Sequence, residues 1–114
     1  MEAAERIESR HLRALRYAMN KIASSRLAPY VEELYLYGSY ARGDYNWNSD
    51  IDLLLTLDEN TPDLKREIIK LKSEVTEDTL SAVDVDIKIV FGEAWKNDSM
   101  LYFKNIRKEG KKLW

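Results

Sequence analysis

The segment between residues 31 and 57 constrains the fold more than any other part of the chain. Two apolar segments, Val31–Tyr37 and Ile51–Leu57, are each as long as a typical β-strand, and Gly38 interrupts the pattern after the first. Apolar runs of this length that are bounded by turn residues are typical of buried strands. Asp50 and Asp52 lie at the start of the second run. We therefore predict two strands joined by a polar loop that leads into a pair of carboxylates.

Periodicity predicts the remaining elements. Apolar residues recur at three- and four-residue steps in residues 3–27, 61–79 and 99–109, which predicts three helices. Pro62 suits the first helical position, and Gly110 stands where a C-terminal cap belongs. Residues 83–91 alternate between apolar and polar side chains, which predicts a third strand, and residues 40–48 predict a short helical turn and a loop.

The order helix, strand, strand, helix, strand, helix predicts an α/β (α+β) fold. We expect a small mixed β-sheet with helices packed on one face. A chain of 114 residues is long enough for one hydrophobic core and too short for two, so residues 1–114 are predicted to form a single domain.

Composition excludes several classes of function. The formal net charge is −2 and no long basic run is present, which argues against a protein that binds long nucleic acid through its phosphates. The chain has no Cys and a single His, His11, so thiolate chemistry and His-based zinc sites are not expected. No signal region or transmembrane run is visible, which favours a cytoplasmic location and no membrane partner.

Asp50 and Asp52 are separated by one residue in a strand, so both carboxylates should project from the same face. Carboxylates this close repel each other unless a cation lies between them. Hard oxygen ligands without neighbouring His or Cys favour Mg²⁺ or Mn²⁺ over Zn²⁺. A third carboxylate comes from the strand at residues 83–91, where we prefer Asp86 and Asp84 is the alternative. We expect Asp50, Asp52 and this third residue to be both metal ligands and catalytic residues.

Gly38 and Ser39 close the first predicted strand with a turn that suits a phosphate group. Gly permits a sharp turn and the close approach of an anion, and Ser39 is expected to cap the short helix that follows. Arg42 lies on this turn and could reach the same phosphates, or it could be an ordinary surface arginine. Lys88, on the same face as Asp86, could likewise bind a phosphate or form a structural ion pair.

These residues resemble the signature of the polymerase-beta-type nucleotidyltransferase superfamily, and in particular its minimal single-domain members. The resemblance is carried by Gly-Ser-x-Ala-Arg-Gly at residues 38–43, by Ser-Asp-Ile-Asp-Leu-Leu at residues 49–54, and by Asp86 in a Val-Asp-Ile-Lys segment. It implies the polymerase-beta-like fold and transfer of a nucleoside monophosphate, usually AMP from ATP, to a hydroxyl with the help of Mg²⁺. The residues implied to bind the nucleotide are Gly38, Ser39, Arg42 and Ser49.

The resemblance also implies partners. Minimal members of this family are often encoded beside an all-helical HEPN protein, for which they serve as antitoxin by adenylylating it or by binding it. Larger relatives use an extra helical domain at the acceptor site, so here a partner, a second copy in a homo-oligomer or a protein substrate should complete the site. The alternatives are an interaction module that neutralises a partner without catalysis and, third, a templated polymerase, which the absence of a basic surface disfavours.

Overall fold

The computed structural model describes residues 3–78 and 80–114 of the chain, with side chains from residue 10 onward. The helices are α1 (Ala3–Ser24), α2 (Gly38–Arg42), α3 (Lys65–Glu74) and α4 (Leu101–Glu109). The strands are β1 (Val31–Tyr37), β2 (Ile51–Leu57), β3 (Val85–Phe91) and β4 (Lys111–Lys112), and 3-10 turns lie at Ala28–Tyr30 and Ala94–Asn97.

The four strands form one mixed sheet in the order β3-β2-β1-β4. β1 pairs antiparallel with β2 and with β4, whereas β2 and β3 run parallel. A parallel pair needs a crossover connection, which α3 provides between β2 and β3. The predicted mixed sheet in an α/β setting is therefore confirmed.

Helices cover both faces of the sheet, so the expectation that they pack on one face alone is wrong. Alternate residues of β2 point to opposite sides: Leu53 and Leu55 pack in the larger core cluster with residues of α1 and α3. Leu54 points the other way and packs with Ile106 of α4 and with Trp95. The physical reason is that β2 is apolar at consecutive positions, so its second face also needs cover.

The predicted boundaries of β1 and β2 are confirmed, and those of the helices are corrected. α1 ends at Ser24 instead of residue 27, and α3 spans Lys65–Glu74 instead of residues 61–79, of which residue 79 lies outside the described residues. Thr61 belongs to a turn closed by its amide and the Asp58 carbonyl, 3.0 Å apart, so Pro62 precedes the helix instead of starting it. Thr76 has left the helix, and its hydroxyl oxygen accepts a hydrogen bond from the Val85 amide at 3.1 Å.

The short strand β4 was not predicted, because two consecutive lysines carry no apolar alternation. It pairs with Tyr35 and Leu36 of β1. The Lys112 ammonium lies 3.2 Å from a carboxylate oxygen of Glu33, which ties the strand to the sheet by charge as well as by backbone pairing. Gly110 occupies the predicted C-cap of α4, and its amide donates to the Ile106 carbonyl at 2.7 Å.

The helices in the described part of the chain are all too short or too polar to cross a lipid bilayer.

Truncation of Ile106, the buried residue of α4, tests whether α4 packs on the second face of the sheet. Ile106 is 1% exposed in the smaller core cluster, so we expect Ile106→Ala to lower the free energy of unfolding by about 2–5 kcal/mol. Lys104→Ala on the exposed side of the same helix is the matched control and should stay within about 0.5 kcal/mol of the unmodified chain. Urea denaturation followed by circular dichroism measures both, and equal effects would contradict the described packing of α4.

Candidate active site

The carboxylates of Asp52 and Asp86 lie side by side on the sheet. In the parallel pairing of β2 with β3, Asp52 is the direct partner of Asp86, and on its other side Asp52 is the partner of Tyr37 in β1. Side chains of directly paired residues project from the same face of a sheet. Tyr37, Asp52 and Asp86 therefore form one row across three strands, on the face that α4 covers in part.

Asp50 precedes β2 by one residue and is exposed, as are Asp84 and Asp86, whereas Asp52 is partly buried. Burial raises the pKa of Asp52 above its ordinary value of 3.8, and the nearby charges of Asp86 and then Asp50 raise it further. Asp84 is not among the charges that act on Asp52. The electrostatic coupling therefore groups Asp50, Asp52 and Asp86, which is the set that the sequence favoured.

Gly38 forms the wall against which the Asp52 carboxylate lies. A Cβ atom added at Gly38 would collide with Oδ2 of Asp52, so a larger residue would push this carboxylate out of place. The backbone φ angle of Gly38 is +81°, a conformation that side-chain-bearing residues adopt only with strain. Gly38 is thus required twice, for the turn after β1 and for the close approach of Asp52.

Ser39 and Arg42 lie in the short helix α2. The helix begins at Gly38 and its N-cap is Tyr37, so the expectation that Ser39 caps this helix is wrong. Arg42 is exposed and forms ion pairs with Glu109 of α4 at 3.0 Å and with Asp44 at 3.3 Å. The role of both residues in binding phosphate stays a prediction, and Arg42 would have to exchange these partners to fulfil it.

Ser49 lies at the end of the loop that leads to Asp50. Its hydroxyl oxygen accepts a hydrogen bond from the Asn46 amide at 2.9 Å, and its own amide donates to the Asn46 carbonyl at 3.1 Å. These bonds close a turn immediately before the carboxylate pair. The predicted contact between Ser49 and a nucleotide is not tested by this geometry.

The donor set fits a hard divalent cation in its chemistry. Asp50, Asp52 and Asp86 supply oxygen ligands alone, and burial, followed by the negative charges of Asp86 and Asp50, raises the pKa of Asp52. Within residues 3–78 and 80–114, however, no three acidic or His side chains converge closely enough to form a ready metal-binding group. The side chains of Asp50, Asp52 and Asp86 would therefore have to turn toward a metal for all three to bind it.

Two tyrosines beside the carboxylates were not singled out from the sequence. The hydroxyl groups of Tyr37 and Tyr102 are hydrogen-bonded to each other, and the Lys88 ammonium lies 4.8 Å from the centre of the Tyr102 ring. Burial is the largest cause that raises the pKa of both tyrosines, and the charges of Asp52 and Asp86 contribute. The alternation of β1 could have indicated Tyr37, whereas Tyr102 reaches the site only because α4 folds back over it.

Comparison with known proteins indicates the same class of protein as the sequence motifs. A family model described as nucleotidyltransferase domain matches residues 18–113. The "Putative protein adenylyltransferase" of Methanocaldococcus jannaschii is 44% identical over 55 residues, which cover 46% of this chain and 54% of that protein. The chain thus spans about half the length of this curated relative.

Two crystal structures share the fold. A "putative nucleotidyltransferase" from Sulfolobus solfataricus matches at a TM-score of 0.65 and 25% identity, over 100% of this chain and 88% of that one. A toxin–antitoxin structure with AMP-PNP matches at a TM-score of 0.54 and 25% identity, over 87% of this chain and 71% of that one. Since the family model covers most of the sequence, including the turn at Gly38 and all three candidate carboxylates, this chain belongs to the nucleotidyltransferase domain family.

Proposed function

We propose that the chain transfers a nucleoside monophosphate, AMP from ATP, to a hydroxyl group of a protein or a small molecule. The observation that carries this proposal is the paired placement of Asp52 and Asp86 on one face of the sheet, with Gly38 against Asp52. Family membership supports the reaction class. The curated relative that is named for adenylylation of proteins supports the choice of AMP and of a protein acceptor.

In this proposal Gly38, Ser39, Arg42 and Ser49 bind the nucleotide. Gly38 and Ser39 open α2, where the first backbone N–H groups of a helix have no intrahelical acceptor and can donate to phosphate oxygens. Arg42 faces outward on the same short helix, and a triphosphate could take the place of Glu109 and Asp44 as its partner. The similarity to a structure that contains AMP-PNP supports ATP as the substrate.

Asp50, Asp52 and Asp86 would hold Mg²⁺ or Mn²⁺. The fit rests on their oxygen donors and on the repulsion among the three carboxylates, which adds to burial in raising the pKa of Asp52. A divalent cation bound there would neutralise charge on the phosphates and polarise the phosphorus–oxygen bond. Binding would also remove the repulsion between the carboxylates, because each would then face a positive charge.

Asp86 is proposed to accept the proton of the acceptor hydroxyl. Asp86 is exposed, so an acceptor can approach it from solvent, whereas the partly buried Asp52 lies deeper in the site. As the proton moves to an Asp86 carboxylate oxygen, the acceptor oxygen forms a bond to the α-phosphorus of ATP. The bond from that phosphorus to the bridging oxygen of the β-phosphate breaks, and pyrophosphate leaves with the electron pair.

The proposed biological setting is that of an antitoxin whose acceptor or binding partner is a helical HEPN protein. Its support is the similarity to a toxin–antitoxin structure and the exposure of Asp50 and Asp86, which a protein acceptor could approach. A second function, neutralisation of a partner by binding alone, is favoured by the observation that no three acidic side chains of the described residues converge as a ready metal site. The two functions differ in whether the carboxylates are needed.

Substitution of the carboxylates separates the two functions. We expect the double variant Asp50→Asn and Asp52→Asn, and separately Asp86→Asn, to abolish transfer of α-phosphate label from ATP to a copurified partner. Asp84→Asn is the matched control. Asp84 is an exposed carboxylate immediately before β3, and its charge does not contribute to the raised pKa of Asp52. Labelling that persists without Asp50 and Asp52 would contradict a catalytic role. Partner binding that survives while labelling is lost would show that binding does not need the carboxylates.

Two glycine substitutions test the close approach of Asp52. Gly38→Ala should lose transfer activity because the added Cβ collides with Oδ2 of Asp52, and it should also destabilise the chain by about 1–2 kcal/mol through the positive φ angle. Gly43→Ala is the control, since Gly43 has a φ angle of +88° but no atom within 4 Å of an added Cβ. It should show the same loss of stability by thermal unfolding yet keep its activity. Equal activity in the two variants would show that the close approach of Gly38 to the Asp52 carboxylate is not needed for transfer.

Arg42→Ala should weaken ATP binding by about 1–3 kcal/mol if Arg42 makes a charge-assisted phosphate contact. Glu109→Gln should have the opposite effect, because it removes the strongest competitor for the guanidinium. Both affinities can be measured by calorimetric titration with the non-hydrolysable analogue AMP-PNP. If neither variant changes the affinity, Arg42 is a surface residue that only joins α2 to α4.

A further inference from the structure

One arginine of α1 binds both of the loops that lead into the carboxylate-bearing strands. The loop before β2, residues 43–50, is called the β2 loop, and the described residues before β3, 75–78 and 80–84, are called the β3 loop. Among the described residues, Arg10 donates three hydrogen bonds to backbone carbonyls: Nε to Ser81 at 2.8 Å, Nη2 to Ala82 at 2.9 Å, and Nη1 to Trp47 at 3.1 Å. The first two acceptors lie in the β3 loop and the third lies in the β2 loop.

Further contacts fix the geometry at both ends of this bridge. The guanidinium carbon of Arg10 lies 3.6 Å from the centre of the Trp47 ring, in a cation–π arrangement with the β2 loop. In the β3 loop, Ala82 has a φ angle of +52°, which is strained for a residue with a side chain. Such a conformation persists only when its surroundings hold it, and Arg10 binds the Ala82 carbonyl directly.

The residue next to Arg10 completes the attachment of the β2 loop. His11 is fully buried, and its Nε2 donates to the Ser49 carbonyl at 2.8 Å, one residue before Asp50. After Ser49, hydrogen bonds between the strands hold the two segments together, beginning with the bond from the Ile51 amide to the Asp84 carbonyl at 2.9 Å. That bond joins the end of one loop to the end of the other, immediately before Asp52 and Asp86.

We propose that Arg10 is a positioning residue that sets the relative placement of Asp52 and Asp86 by clamping the β2 and β3 loops together. The proposal rests on the proposed function insofar as those carboxylates bind metal. The contacts of Arg10 among the described residues are with loop carbonyls and the Trp47 ring, so in this proposal it acts on the carboxylates through the backbone of the loops. Its planar guanidinium offers several N–H donors in fixed directions, so it can bind three carbonyls at once. A lysine ammonium at the end of a flexible chain cannot reproduce this arrangement.

The variants are Arg10→Ala and Arg10→Lys, with Arg13→Ala as the matched control. Arg13 lies one turn further along α1 and forms an ion pair with Asp78 at 2.8 Å. It therefore contacts the β3 loop as Arg10 does, but no contact joins it to the β2 loop among the described residues. The Arg13→Ala variant measures the effect of losing a contact with the β3 loop alone. The Arg10 variants measure the effect of losing the contacts that join the β3 loop to the β2 loop. Arg10→Lys keeps the charge and the aliphatic stem, so the same measurements can be made on it if the alanine variant does not fold.

Two readouts besides activity distinguish positioning from general stability. Amide hydrogen exchange at Ile51 should be several-fold faster in both Arg10 variants and unchanged in Arg13→Ala, because the Ile51–Asp84 bond lies between the clamped loops. Mn²⁺ affinity, measured by electron paramagnetic resonance of the free ion, should fall on the order of 10-fold to 100-fold in the Arg10 variants, as for other residues that orient metal ligands. Arg13→Ala should bind Mn²⁺ as the unmodified chain does.

Asp52→Asn separates failure of this inference from failure of the proposed function. If Asp52→Asn abolishes Mn²⁺ binding while the Arg10 variants keep both normal affinity and normal exchange at Ile51, the clamp is overturned and the metal site stands. If Asp52→Asn leaves Mn²⁺ binding unchanged, the proposed metal site fails and exchange at Ile51 alone decides the clamp. Equal changes in the Arg10 and Arg13 variants would reduce Arg10 to a residue that stabilises the fold.

Discussion

The repulsion between two carboxylates on adjacent strands is the interaction on which the site depends. Asp52 and Asp86 are direct partners in a parallel pair of strands, and burial of Asp52 leaves its charge poorly solvated. Burial and then the charges of Asp86 and Asp50 raise the pKa of Asp52, so keeping Asp52 ionised beside Asp86 costs stability at neutral pH. A divalent cation bound in the proposed nucleotidyl-transfer site would offset this repulsion.

The surroundings of the pair are built to hold these carboxylates where they are. Gly38 leaves room for Asp52 that no larger residue could leave, and Arg10 joins the two loops that precede the acidic strands. The helix α4 returns over the same face and places Tyr102 against Tyr37, beside the two carboxylates. The site is therefore formed by segments that are distant in sequence, from α1 to α4, although its acidic residues come from only two strands.

The strands and the acidic motif could be predicted from the sequence because each depends on local order. The largely apolar segment Ile51–Leu57, in which Asp52 and Thr56 are the polar residues, predicts a buried strand, and the strict alternation around Asp86 predicts which side chains share a face. The helix ends were less well predicted, since the Asp58 turn and the hydrogen bond from Val85 to Thr76 compete with helix formation at residues 61 and 76. The strand β4 carries no local signal and forms only because β1 offers an unpaired edge.

The sequence by itself determined the reaction class to which the site is suited. The kinds of residue and their spacing in residues 38–54 predicted a nucleotidyltransferase, and the match to the family model confirms this class. Only the tertiary structure decided that Asp86 rather than Asp84 is the direct partner of Asp52, because strand register is set by pairing and not by local pattern. The same holds for the cover of α4 over the site, the ion pairs of Arg42 and the bridge formed by Arg10, since each joins residues that are far apart in the chain and meet only after folding.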